Sequence, residues 1–207
     1  MMNKKTIVKS IFLIMVIILG FSGITYGLLI DQTESKTNAF FPGVLTAPIV
    51  ENGNLAPDNT NILTPDNLEV TKQVQIQNIA NPHEVDAYIR VMLVPVFRSG
   101  EGTLAGDMSL DPNGNDIIVT APSGQTATLK LISGWQENWV YSDGYYYYKN
   151  IVHPGANTAI LLNSINVSEN ALWDSFYVEV LADSIQAEGG AIDEVWSHTI
   201  ASQLETP

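Results

Sequence analysis

From residue 68 to residue 186 the chain is written in short runs whose apolar residues recur at every second position, with turn residues between them. Leu68, Val70, Val74 and Ile76 alternate with Glu69, Thr71, Gln73, Gln75 and Gln77, the pattern of a strand with one buried face. The run 85–97 is apolar on both faces, with Val85, Ala87, Ile89, Val91 and Leu93 on one side and Tyr88, Met92, Val94 and Val96 on the other. A central strand covered on both sides reads in this way, and Arg90 within it then needs a partner or an edge. Shorter strands are predicted at 44–50, 117–120, 126–132, 139–141, 145–149 and 158–162, and a long final one at 176–186. The stretches 52–67 and 111–116 read as polar loops. Only 191–200 carries helical spacing, through Ile192, Val195, Trp196 and Thr199. Such a succession of short strands predicts an all-β, antiparallel β-sandwich or jelly roll with a short C-terminal helix.

One hairpin is specified in detail. Asp143-Gly144 is a dipeptide that accepts positive φ at both central positions of a two-residue turn. In that register Trp139 faces Tyr148 and Tyr141 faces Tyr146, so four aromatic rings share one face of the hairpin. Five of the eight tyrosines fall between Tyr141 and Tyr148. Such a face either packs into a core or stays open as a platform for sugar rings or a partner, and the usual burial of one face of an antiparallel sheet favours packing.

The first thirty residues set the compartment. Lys4, Lys5 and Lys9 precede an unbroken apolar run at 11–19, and small residues follow, with Thr25 and Gly27 spaced as a signal-peptidase site. This predicts a signal helix at 1–27, cut between Gly27 and Leu28. The rival reading is an uncleaved membrane anchor, since no charge occurs between Lys9 and Asp31 and roughly 20 such residues cross a bilayer. In both readings the positive head stays inside and the remainder is exported. The short apolar run, broken by Gly and Ser, favours cleavage.

Cleavage leaves 180 residues: an arm at 28–42 and a single domain at 43–207, long enough for one proper core. Six basic residues then face all 22 acidic ones, a net charge of −16. That balance opposes binding to nucleic acid and to anionic lipid. The absence of cysteine removes disulfides and thiolate metal sites, so stability must come from packing.

Signatures of catalysis are weak. His83, His153 and His198 are far apart and none lies in a HExxH pattern, which disfavours zinc hydrolysis. No Ser stands in a GxSxG elbow and no glycine-rich phosphate loop occurs. Asp111, Asn113 and Asn115 match the first half of a calcium loop, but Gly114 comes early and Pro122 stands where a bidentate Glu belongs. No cofactor is therefore expected, with calcium as the weak alternative. Asn166-Val167-Ser168 matches a glycosylation acceptor, which has meaning only in a host that uses that pathway.

Several segments carry a family resemblance. The exit from the signal, from Thr25-Tyr26-Gly27 through Leu28-Leu29-Ile30 to Phe40, resembles the processing region of proteins cut by the SipW-type signal peptidase. Gly43-Val44-Leu45, Gln75-Ile76-Gln77-Asn78, Ala87-Tyr88-Ile89-Arg90-Val91, the segment 139–155 and Ile185-Gln186-Ala187-Glu188-Gly189 resemble the BsaA-like branch of the TasA and camelysin superfamily. The likeness spans nearly the whole chain, although Leu28-Leu29-Ile30 replaces the Ala and aromatic residue frequent in that family. It implies a secreted jelly-roll-like subunit of biofilm matrix fibres at the surface of a Gram-positive bacterium.

The expected function is structural rather than enzymatic. After export the arm would add as a strand to a second copy, giving a homo-oligomeric fibre with Leu28, Leu29, Ile30, Phe40 and Phe41 as anchors. The alternatives are a metal-dependent protease, as the camelysin name suggests, and a glycan-binding adhesin using Trp139, Tyr141, Tyr146 and Tyr148. The SipW-type peptidase and other matrix components would be partners, and the membrane would be met only through the N-terminal segment. No LPxTG-type signal or apolar tail follows the domain, so sortase anchoring is not expected.

Overall fold

The computed structural model describes residues 45–55, 61–81, 84–99, 103–104, 109–122, 124–168 and 173–206. The predicted signal and arm, with Thr25, Gly27, Leu28, Leu29, Ile30, Phe40 and Phe41, lie outside the described residues.

The described chain is mostly antiparallel β structure followed by two short helices. Its first strands are β1 (Ile49–Glu51), β2 (Asn54–Leu55), β3 (Glu69–Thr71), β4 (Val74–Ile76), β5 (Ala87–Ser99) and β6 (Thr103–Leu104). Then come β7 (Ser109–Asn113), β8 (Asp116–Thr120), β9 (Thr126–Leu131), β10 (Trp139–Ser142), β11 (Tyr145–Tyr148), β12 (Leu162–Val167) and β13 (Ser175–Gln186), with helices α1 (Ala191–Val195) and α2 (His198–Ala201) at the end.

One sheet has the order β10-β11-β5-β13, and the second has the order β3-β12-β9-β8-β7. A small third sheet, β2-β1-β4, is tied to the second by the Lys72 amide donating to the Asn163 carbonyl and the Leu161 amide donating to Val74. A single core lies between them. Ile89, Val91 and Phe97 of β5 and Phe176 and Val178 of β13 share it with Val119, Leu129 and Ile165 from the other sheet. A second cluster on the outer face of β5, built on Tyr88 and Tyr147, receives Ile192, Ile200 and Leu204 from the C-terminal helices and tail.

The strand β5 is central, as its two apolar faces predict. It pairs with β13 without a break from Ala87↔Gln186 to Arg98↔Ser175, and β11 flanks part of its other edge. Five expectations need correction. The strand predicted at 158–162 begins only at Leu162 and runs to Val167. The first strand is only Ile49–Glu51 rather than 44–50: the carbonyls of Pro48 and Thr46 accept from Gln77 and Ile79, but Pro48 has no N–H to complete the ladder. The alternating run from Leu68 breaks into β3 and β4 at Lys72-Gln73, so that β3 pairs with β12 and β4 with β1.

The predicted loop at 111–116 is instead the tip of a hairpin, with Asp111 paired to Ile118. Its Pro112 sits on the edge strand β7, where a missing N–H disrupts no interior ladder. The predicted helix at 191–200 is two helices, because Ser197 adopts extended φ and its hydroxyl accepts from the Ile200 amide at 3.3 Å. Serine at an N-cap starts a new helix more readily than it continues an old one.

Candidate functional site

The aromatic hairpin forms in the predicted register, Trp139↔Tyr148 and Tyr141↔Tyr146. Asp143 and Gly144 both take positive φ, 50° and 84°, as the two-residue turn requires. Ring centroids stand 5.0 Å apart in the Trp139–Tyr148 pair and 4.8 Å apart in the Tyr141–Tyr146 pair. Trp139, Tyr146 and Tyr148 belong to the main core, whereas Tyr141 is 45% exposed. Packing thus accounts for three of the four rings. Burial pushes the Tyr146 phenol well above the ordinary tyrosine range, and the neighbouring Tyr141 adds to the shift.

On the opposite face of the hairpin, Arg90 lies over Tyr145 with Cζ 4.1 Å from the ring centroid, and 5.1 Å from that of Trp196. Its Nη2 also donates to Asp183 at 2.7 Å. The partner that Arg90 needs in a central strand is therefore supplied by β13 and by aromatic faces.

The hairpin ends before β5 does. The last β11 partner along β5 is Tyr146, opposite Val91, and β6 begins only at Leu104, opposite Arg98. Among the described residues no strand pairs with this edge of β5 between Met92 and Phe97. The direction of the ladder is readable. Both main-chain groups of Ala87 bond Val152 on this side, whereas the carbonyls of Asp86 and Arg98 accept from Ala187 and Asp174 on the β13 side. Alternation along an antiparallel strand then turns the main-chain groups of Leu93 and Pro95 toward the open edge. Proline contributes a carbonyl without a donor, a device that limits indiscriminate pairing at edges.

An apolar cavity of about 250 Å³ opens at the same place. Met92, Leu93, Val94 and Pro95 form its β5 wall, Leu110, Ile117 and Leu129 face them from the second sheet, and Tyr141, Gly144 and Tyr146 close the hairpin end. Leu110 and Tyr141, 49% and 45% exposed, stand at this cavity as large apolar side chains left in water. An unpaired strand edge beside a side-chain pocket has the two components used in strand addition: main-chain groups for affinity and a recess for an anchor. Of its lining, sequence reasoning had singled out Tyr141 and Tyr146 only. Leu110 was missed because its segment read as part of no strand.

The remaining candidates are dispersed. His153 and His198 bond the carboxylates of Asp86 and Asp193 at 2.8 and 2.9 Å, both on the surface, and His83 lies outside the described residues. Asp111 and Asn113 are on β7 and Asn115 is in the following turn, so the half-match to a calcium loop falls on a β-hairpin. Among the described residues no three His, Asp or Glu side chains converge in a way that would hold a metal. Asn166 lies within β12, paired on both sides, rather than in a loop. No protein-family model, no curated protein and no solved structure matches the chain.

Proposed function

We propose that this protein is an exported structural subunit of extracellular matrix fibres, in which the arm 28–42 of one copy adds as a strand to the open edge of β5 in the next. The observation that carries this reading is the stretch of β5 between β11 and β6 with which no strand pairs among the described residues, with an apolar cavity beside it. The arm has the complementary character, Leu28-Leu29-Ile30 at one end and Phe40-Phe41 at the other with polar residues between. Its 15 residues reach roughly 50 Å when extended, ample for a neighbouring copy. Each Leu or Ile side chain moved fully out of water contributes about 1.5–3 kcal/mol, so two or three anchors with their main-chain bonds make a stable joint. A head-to-tail contact of this type generates a filament unless its rotation closes a ring.

Further features support the reading. The strand and turn patterns resemble the BsaA-like branch of the TasA and camelysin superfamily, for which a jelly-roll-like topology, SipW-type processing at Gly27 and export to the matrix of a Gram-positive bacterium are implied. The strongly acidic mature chain suits a subunit that avoids nucleic acid and anionic lipid. Signal removal would then free Leu28 to Ile30 from the membrane and couple export to assembly.

The test is assembly of the exported protein followed by electron microscopy. Deleting 28–38, or placing charge at the cavity rim with Leu110→Asp or Tyr141→Asp, is expected to leave a folded monomer that forms no fibres. Fibres of unchanged length from the deleted protein would overturn strand addition by the arm. Unchanged fibres from both rim variants would move the acceptor away from β5.

A further inference from the structure

One inward-facing position of the run 68–77 is not apolar. Val70, Lys72, Val74 and Ile76 share a face, and Lys72 is as deeply buried as its neighbours, its side chain 1% exposed. Its ammonium donates to Oε1 of Glu51, itself only 9% exposed. The other carboxylate oxygen, Oε2, accepts from Nδ2 of Asn61 at 2.8 Å. Three residues from separate segments thus meet at one carboxylate: Glu51 at the end of β1, Asn61 beyond β2, and Lys72 at the break between β3 and β4. Burying an ion pair in this way carries a desolvation cost that an apolar triad of the same volume would not.

The three side chains are also the complete set for an acyl transfer. Lys72 is a shielded amine nucleophile, the side-chain amide of Asn61 is an acyl donor, and Glu51 touches both and serves as the proton carrier between them. We propose that Lys72 and Asn61 condense into an intramolecular isopeptide bond, with Glu51 as the general acid and base. A proton passes from the Lys72 ammonium to Glu51, leaving a neutral amine. Its lone pair attacks Cγ of Asn61, and protonated Glu51 donates to the amide oxygen, which a half-turn of the amide group brings to face it. The tetrahedral carbon then collapses, the Cγ–Nδ2 bond breaks, and Nδ2 departs as ammonium carrying protons relayed from Nζ. Glu51 returns to the carboxylate. Atoms and charge balance with no oxidant, cofactor or metal.

The bond would replace the Lys72 ammonium by a neutral amide beside the Glu51 carboxylate. It would also close a loop from 61 to 72 in a chain without cysteine, restricting the unfolded state as a disulfide does. This inference stands independently of the fibre reading, since the three groups lie within one copy.

Tryptic digestion of the full-length chain as exported, followed by mass spectrometry, tests it. Trypsin cuts after a free lysine, so the expected product is a fragment that runs uncut through Lys72 to Arg90, contains Asn61, and lacks one ammonia. Lys72→Arg and Asn61→Ala should each abolish that loss, and Glu51→Gln should abolish it in a protein that still folds. Cleavage after Lys72 with Asn61 at full mass in the wild-type protein would overturn the proposal, whether or not the variants fold. Ammonia loss that persists in Lys72→Arg would overturn it too, because it would come from cyclisation of Asn61 on its own backbone.

Discussion

Arg90 and Asp183 face each other across the central strand pair, with Nη2 and Nε donating to one carboxylate oxygen at 2.7 and 3.0 Å. The carboxylate is half exposed, so solvent screens the pair. The guanidinium is instead covered by Tyr145 and Trp196. Asp183→Asn is therefore expected to cost less than about 1 kcal/mol, whereas Arg90→Ala should cost about 1–2 kcal/mol through the lost ring contacts. Denaturant unfolding of the two variants checks the order, and Trp196 fluorescence should shift only in the second.

The C-terminal tail is held by both the backbone and the side chain of Glu205. The Tyr88 hydroxyl donates to the Glu205 carbonyl at 2.7 Å, the Glu205 amide donates to Lys149, and a Glu205 carboxylate oxygen accepts from the Ile151 amide. Tyr88→Phe removes one neutral hydrogen bond and keeps the ring in its cluster. A loss of about 0.5–1.5 kcal/mol is expected, with faster hydrogen exchange at the Glu205 amide and little change in β5.

His153 bonds Asp86 at 2.8 Å, and that bond together with the Asp86 charge raises its pKa above 6.5. A pKa raised on folding contributes stability that is complete below the unfolded value of 6.5 and fades as pH rises through the folded value. The His153 ring resonances should therefore titrate above those of an unfolded reference. Asp86→Asn should bring the midpoint down, and a midpoint unaffected by that change would remove Asp86 as the cause.

Gly144 takes φ 84° at the tip of the aromatic hairpin, and an added Cβ would meet nothing closer than Met92 Cε at 4.0 Å. A substitution there is opposed by backbone strain rather than by crowding. Gly144→Ala is expected to cost about 1–2 kcal/mol, and Gly144→Asn less, because asparagine tolerates the left-handed region. Thermal unfolding of both variants gives the comparison. Equal losses would point to crowding against Met92.

Much of the fold was legible because alternation and turn chemistry are local. The two apolar faces of β5 marked it as central, and Asp143-Gly144 set the pairing of Trp139 with Tyr148. Other features were not legible. Ser197 ended a helix whose apolar spacing continued past it, since a cap competes with propagation through a single side-chain bond. Lys72 stood in phase with Val70 and Val74, but nothing near it in the chain marked Glu51 and Asn61 as its partners.

The sequence by itself determined which residues face inward, where turns fall, and that the chain is an acidic, cysteine-free β protein with a signal-like start. These follow from side-chain periodicity and backbone preference, which act over a few residues. Only the tertiary structure decided which strands lie side by side, and therefore that β11 stops at Val91 while β6 starts at Arg98. The edge at Leu93 and Pro95, unpaired among the described residues, and the meeting of Lys72 with Glu51 and Asn61 both arise from pairings between distant segments. Such pairings are selected by packing over the whole core, which no short window of the chain contains.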